Sequence, residues 1–141
     1  MIQEERIIDM KKINRVLILL MFFVAAVFCM GCGNDYKHIN HEEAKQIIKS
    51  ESNIILLDVR TQEEYDKKHI PGALLLPIAD IKEGKFGKLP DKNQKILIYC
   101  WTGRRAEDSA KILVENGYTN VYEFGGIINW TGEIEGEEVD N

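Results

Sequence analysis

The chain has 141 residues, 45% of them hydrophobic and 29% charged. That length and balance suit one domain with a real core and exclude a disordered chain. The net charge of −5 leaves no basic footprint and argues against nucleic acid as a partner. Lys11, Lys12 and Arg15 stand just before an unbroken apolar run at residues 16–28. The run is shorter than the roughly 17–25 residues of a membrane-spanning helix. A basic stretch followed by a short apolar one reads as an export signal, with an uncleaved anchor helix reaching about Met30 as the rival. Met10-Lys11-Lys12 has the form of a natural signal start, so residues 1–9 read as an extension.

The segment Cys29-Met30-Gly31-Cys32-Gly33-Asn34-Asp35 resembles a bacterial lipoprotein processing site with Cys32 as the lipidated residue. Gly31 meets the small-residue requirement before the cysteine, while Cys29 stands where Leu is usual. The resemblance implies removal of residues 1–31, a lipidated tether at 32–35 and a diacylglyceryl anchor. It places the protein on the extracytoplasmic face of a bacterial cell membrane, held stably by two or more acyl chains. A Cys-x-x-Cys metal or redox pair is the rival reading of Cys29 and Cys32, though no further ligands stand nearby. After processing, Cys100 is the single free thiol and no internal disulfide is available.

From Tyr36 onward, short apolar runs alternate with amphipathic stretches, and a domain over residues 36–131 is expected. Residues 36–39 form a short first strand. Asn40 and Glu43 make a capping box, and Ala44, Ile47 and Ile48 share the face of the helix it opens. The run at 54–57 reads as a strand buried on both faces. Thr61 and Glu64 make a second capping box, opening a short helix that fades before Ile70-Pro71-Gly72. A strand at 73–76 ends at Pro77, and residues 81–93, rich in Lys and Gly, read as a surface loop. Residues 96–99 form the strand before Cys100. A helix at 105–116 carries Ala106, Ala110, Leu113 and Val114 on one face, with Gly117 just beyond its end. A last strand at 121–124 leads through Gly125-Gly126 into a turn at 127–130, and the acidic tail at 132–141 is expected to be solvated. Strands alternating with helices imply parallel pairing through right-handed crossovers, with ligands beyond the carboxyl ends of the strands. Asp58-Val59-Arg60 and residues 100–105 both fall there.

Cys100 is therefore delivered to a loop that opens onto a helix N-terminus, where converging N–H groups favour a thiolate and make the sulfur nucleophilic. Gly103 lets the backbone approach closely, Thr102 offers a hydroxyl, and Arg104 and Arg105 offer donor forks for an oxyanion. The arginines have a second fate, in solvent or paired with Glu107 or Asp108, and Trp101 either walls the pocket or packs in the core. Asp58 reads as structural, capping loop amides or pairing Arg60. Arg60 reads as part of the rim or as a partner of Glu64, and His69 as a hydrogen-bonded turn residue. Phosphate-ester hydrolysis and sulfur transfer both suit a cysteine in such a nest. The phosphatase spacing is Cys-x5-Arg, whereas here it is Cys-x4-Arg, with Tyr99 before the cysteine and Ala106 six residues after it. The shorter loop is a cradle for a single sulfur atom.

In four places the chain resembles the rhodanese-like single-domain sulfurtransferases. Cys100, Gly103 and Arg105 match a Cys-x-x-Gly-x-Arg loop, and Leu57-Asp58-Val59-Arg60 with Glu64-Tyr65 matches an early motif. His69-Ile70-Pro71-Gly72-Ala73 and Gly125-Gly126 with Trp130 match two more, in order and over residues 36–130. The resemblance implies an α/β fold with a five-stranded parallel sheet flanked by helices. It also implies sulfur transfer through a persulfide on Cys100, with Trp101, Thr102, Gly103, Arg104 and Arg105 binding substrate and no metal or other cofactor. The donor is thiosulfate or a similar small sulfur-containing anion, and the acceptor is cyanide or a thiol. A protein-binding module of the same fold is the alternative, although inactive members usually lack the cysteine. A thiol redox relay would need a second cysteine.

Overall fold

β-Branched and leucine-rich runs make the centre of the domain a parallel sheet in this computed structural model, which describes residues 35–137 together with 13–15, 17 and 18. The processing site and Cys32 lie outside the described residues, as does most of the expected signal. Strands β1 (Lys37–His38), β2 (Ile54–Asp58), β3 (Leu74–Leu75), β4 (Lys95–Cys100) and β5 (Val121–Gly126) lie in the order β1-β5-β4-β2-β3. Every neighbouring pair is parallel, as expected of the α/β alternation. In β4, Ile96 and Ile98 face one core cluster and Leu97 and Tyr99 the other, and all four are fully buried. A strand covered on both faces has to be apolar throughout, which is why this one carries no polar alternation.

Helices α1 (His41–Ser50) and α2 (Gln62–Lys67) start at the two expected capping boxes, Asn40 with Glu43 and Thr61 with Glu64. Helix α4 (Arg104–Glu115) begins one residue earlier than expected and buries Ala106, Ser109, Ala110 and Leu113. A short helix, α3 (Ile78–Lys82), was not expected from the sequence. Pro77, with φ −54°, presets its entry, and Ile81 is its buried anchor. The C-terminal segment is exposed over residues 133–137, yet it is tied to the domain as far as Glu135. The backbones of His69 and Glu135 exchange two hydrogen bonds, at 2.7 and 2.8 Å, and the Trp130 indole N–H donates to the Glu133 carbonyl. Acidic composition predicts solvated side chains, but it does not prevent backbone pairing.

The carboxyl end of β5 passes directly beneath the chain that follows β4. Cys100 and Gly126 are register partners, and the Ile128 N–H donates to the Trp101 carbonyl at 3.2 Å. A Cβ on Gly126 would lie 2.2 Å from the Trp101 oxygen and 2.6 Å from the Thr102 Cα, both backbone atoms that no rotamer change can move. Gly126→Ala is expected to cost at least about 1–3 kcal/mol of unfolding free energy in urea. Gly87→Ala, whose Cβ meets nothing within 4 Å, is the control and should stay within about 0.5 kcal/mol of the native protein.

Candidate active site

Parallel registry brings the ends of β2 and β4 side by side. Asp58 pairs with Tyr99, and the Val59 N–H donates to the Tyr99 carbonyl at 3.2 Å. The chain leaves β4 at Cys100, turns through Trp101, Thr102 and Gly103, and enters α4 at Arg104. Gly103 makes the turn with φ +111°, a conformation that strains any residue with a Cβ. No side chain caps α4. Its entry N–H, that of Gly103, donates instead to the Cys100 Sγ at 3.0 Å. Cys100 is 1% exposed and lies at the base of the loop, at the positive end of the helix.

The two loop arginines have different surroundings. Arg105 holds the Glu64 carboxylate with both terminal nitrogens, each at 2.7 Å. This fork raises the Arg105 pKa further, and burial opposes the rise. The same contact, aided by the Thr61 N–H, holds the Glu64 carboxyl down at about 2. Neither Glu107 nor Asp108 takes Arg105: Glu107 pairs with Lys111. Arg104 is exposed, and among the described residues no carboxylate lies within ion-pair distance of it. Thr102 is exposed at the rim. Trp101 is half-buried: it packs beside the cluster that includes Tyr99 and Phe124, and it also carries the Lys68 ammonium 4.8 Å from its ring centroid.

Arg60 does not pair with Glu64. It is buried and forks onto Asp58, with Nε 2.9 and 3.0 Å from the two carboxylate oxygens and Nη2 2.6 Å from Oδ2. Its Nη2 also donates to the Lys68 carbonyl at 2.7 Å. His69 is a hydrogen-bonded turn residue, with Nδ1 2.8 Å from the Tyr65 carbonyl and its ring stacked on Tyr65 at 3.7 Å. Two residues that the sequence did not mark for this site now belong beside it. Lys68 carries no motif, and Glu64 was visible as a helix cap, a family position and a candidate partner of Arg60, not of Arg105.

The architecture defines a class: an open parallel α/β domain whose central strand delivers a cysteine into an uncapped helix entrance. Within that class, the Rhodanese-like domain family matches residues 40–133, and the chain belongs to it. Thiosulfate sulfurtransferase GlpE of Coxiella burnetii is 38% identical over 96 residues, which cover 67% of this chain and 87% of that protein. Thiosulfate sulfurtransferase PspE of Escherichia coli is 39% identical over 71 residues, covering 50% of this chain and 68% of its own. A solved structure described as a rhodanese with anions from E. coli superposes with a TM-score of 0.54 at 34% identity. It covers 59% of this chain and 98% of its own.

The Glu64–Arg105 fork carries a pH signature. The unfolded carboxyl binds its proton near 4.5 and the folded one near 2. The unfolded state therefore holds more protons between those values, and stability rises with pH across them. The contribution is complete above the unfolded value and is lost as pH falls through the folded one. Both side chains are about one-third exposed, so solvent screening keeps the effect below the full shift. Glu64→Gln is expected to flatten the dependence of unfolding free energy on pH between 4.5 and 2, as read from urea melts at closely spaced pH values.

Proposed function

We propose that the protein is a rhodanese-type sulfurtransferase that carries sulfane sulfur on Cys100. The observation that carries this reading is the Gly103 N–H at 3.0 Å from the Cys100 Sγ, in a loop closed by Arg105 five residues after the cysteine. The relatives named thiosulfate sulfurtransferase support the same reaction class. In the first half-reaction the Cys100 thiolate attacks the outer sulfur of thiosulfate. A new S–S bond forms, the old one breaks, and its electron pair leaves with sulfite. In the second half-reaction, cyanide or a thiolate attacks the terminal sulfur of the persulfide, and the electron pair returns to Cys100. The charge stays on sulfur through both steps, which suits fixed N–H donors at a helix entrance better than a proton-shuttling histidine.

Intact mass spectrometry of the domain after thiosulfate treatment tests this. One sulfur atom is expected to be gained by the native protein and not by Cys100→Ser. No gain would favour a non-catalytic binding module, a reading for which the 1% exposure of Cys100 speaks. No gain together with hydrolysis of a phosphate ester would make the protein a cysteine phosphatase.

We further propose that residues 1–31 direct export and that Cys32 carries a lipid anchor on the outer face of the cell membrane. The basic stretch, the short apolar run and Gly31-Cys32 support this. Labelling with a radioactive lipid precursor is expected to mark the protein in cells, and Cys32→Ala is expected to abolish the label. No label on the native protein would remove the anchor, and a label that persists in Cys32→Ala would take it away from Cys32.

A further inference from the structure

A small cleft opens beside the Cys100 loop, lined by Arg60, Glu64, Lys67, Lys68 and Trp101. Most of its charge is already answered. Arg60 is forked onto Asp58, both oxygens of Glu64 are held by Arg105, and Lys67 pairs with Glu63 at 3.2 Å. Lys68 differs. It is half-buried, and among the described residues no carboxylate lies within ion-pair distance of it. Its ammonium rests on the face of Trp101, the residue that follows Cys100. An aromatic face is a weaker partner for an ammonium than the full charge of an oxyanion.

The lysine is also well placed. Its N–H donates to the Glu64 carbonyl at 3.4 Å, and its carbonyl accepts from Arg60 at 2.7 Å. The side chain therefore leaves a backbone fixed on both sides of its Cα. Arg104 lies in a separate basin with His38, Lys111, Glu107, Asp108 and Glu123. There Glu107 is paired with Lys111 and Glu123 with His38, and Asp108 stands beside Arg104 in the lining. The whole chain, at a net charge of −5, opposes the approach of a dianion. In the Lys68 cleft, by contrast, an ammonium without a carboxylate partner among the described residues rests on the residue next to Cys100 in the chain.

We propose that Lys68 is a specificity-determining residue for the sulfur donor. Its ammonium leaves the Trp101 face to hold the anionic end of a small sulfur oxyanion while the outer sulfur meets Cys100. This rests on the sulfurtransferase reading above, and the experiment separates the two. Initial rates are measured with thiosulfate as donor and dithiothreitol, a neutral acceptor, held fixed. Lys68→Gln is expected to raise the KM for thiosulfate about five- to tenfold with kcat within about twofold, the mark of lost ground-state binding. Lys68→Arg is expected to restore the KM. Added sodium chloride is expected to raise the native KM and to leave that of Lys68→Gln nearly flat, because a rim charge acts through a screened field. An unchanged KM in Lys68→Gln, or a loss confined to kcat, would overturn the assignment while the native enzyme still gains sulfur in the mass spectrum. A native protein that gains no sulfur would remove the parent reading and this assignment with it.

Discussion

The buried ion pair of Asp58 and Arg60 is the constraint on which the functional edge of the sheet depends. Both side chains are essentially inaccessible to water. Two charges at that depth persist only when each finds its full set of partners, and removing one partner of such a pair typically costs about 3–5 kcal/mol. Here the set is complete. Asp58 receives the Arg60 backbone N–H and its guanidinium, and the guanidinium also reaches the Lys68 carbonyl and lies over the Tyr99 ring. The Tyr99 hydroxyl in turn accepts the Ile70 N–H. The chain between β2 and β3 is thereby tied to the sheet at two points, and α2 between them presents Glu64 to Arg105. A charge pair two residues apart in sequence thus sets the position of a side chain on the far rim of the loop.

The second constraint is steric. β5 must run close enough beneath Trp101 and Thr102 to support them, and only a residue without a Cβ fits at 126. Gly103 and Gly125 face one another in the same way, with a Cβ on the first 3.2 Å from the Cα of the second. Backbone thus lies against backbone beneath the loop, which leaves little room for it to shift and supports the Gly103 N–H where it meets the sulfur.

Much of this was legible in the chain. The central strands β2 and β4 announced themselves because a strand buried on both faces requires an uninterrupted apolar run, and α1 and α2 because Asn40 with Glu43 and Thr61 with Glu64 are local signals. The parts that were not legible depend on partners distant in sequence. Helix α3 has five residues and one buried anchor, too few for a period to register. Arg105 had Glu107 and Asp108 close by along the chain, yet it pairs with a residue 41 positions away. Lys68 has no signal of its own, since its surroundings are made by Trp101 from another strand's end. The pairing of Glu135 with His69 uses backbone atoms, which composition does not describe.

Helix α4 is the longest helix of the domain, and its leading end is held by an atom that chemistry can alter. Elsewhere in the fold, Asn40 and Thr61 do that work with fixed oxygens. At α4 no side chain does so, and the Cys100 Sγ instead accepts the N–H of Gly103, the residue from which the helix starts. A hydrogen bond of this kind contributes on the order of 1 kcal/mol, so alkylation, oxidation or loading of this sulfur is also a change at the entrance to α4. By linkage, whatever strengthens that contact stabilises the whole domain, and whatever blocks it loosens the helix first. The thermal stability of the protein is in this sense a reporter of the covalent state of one atom.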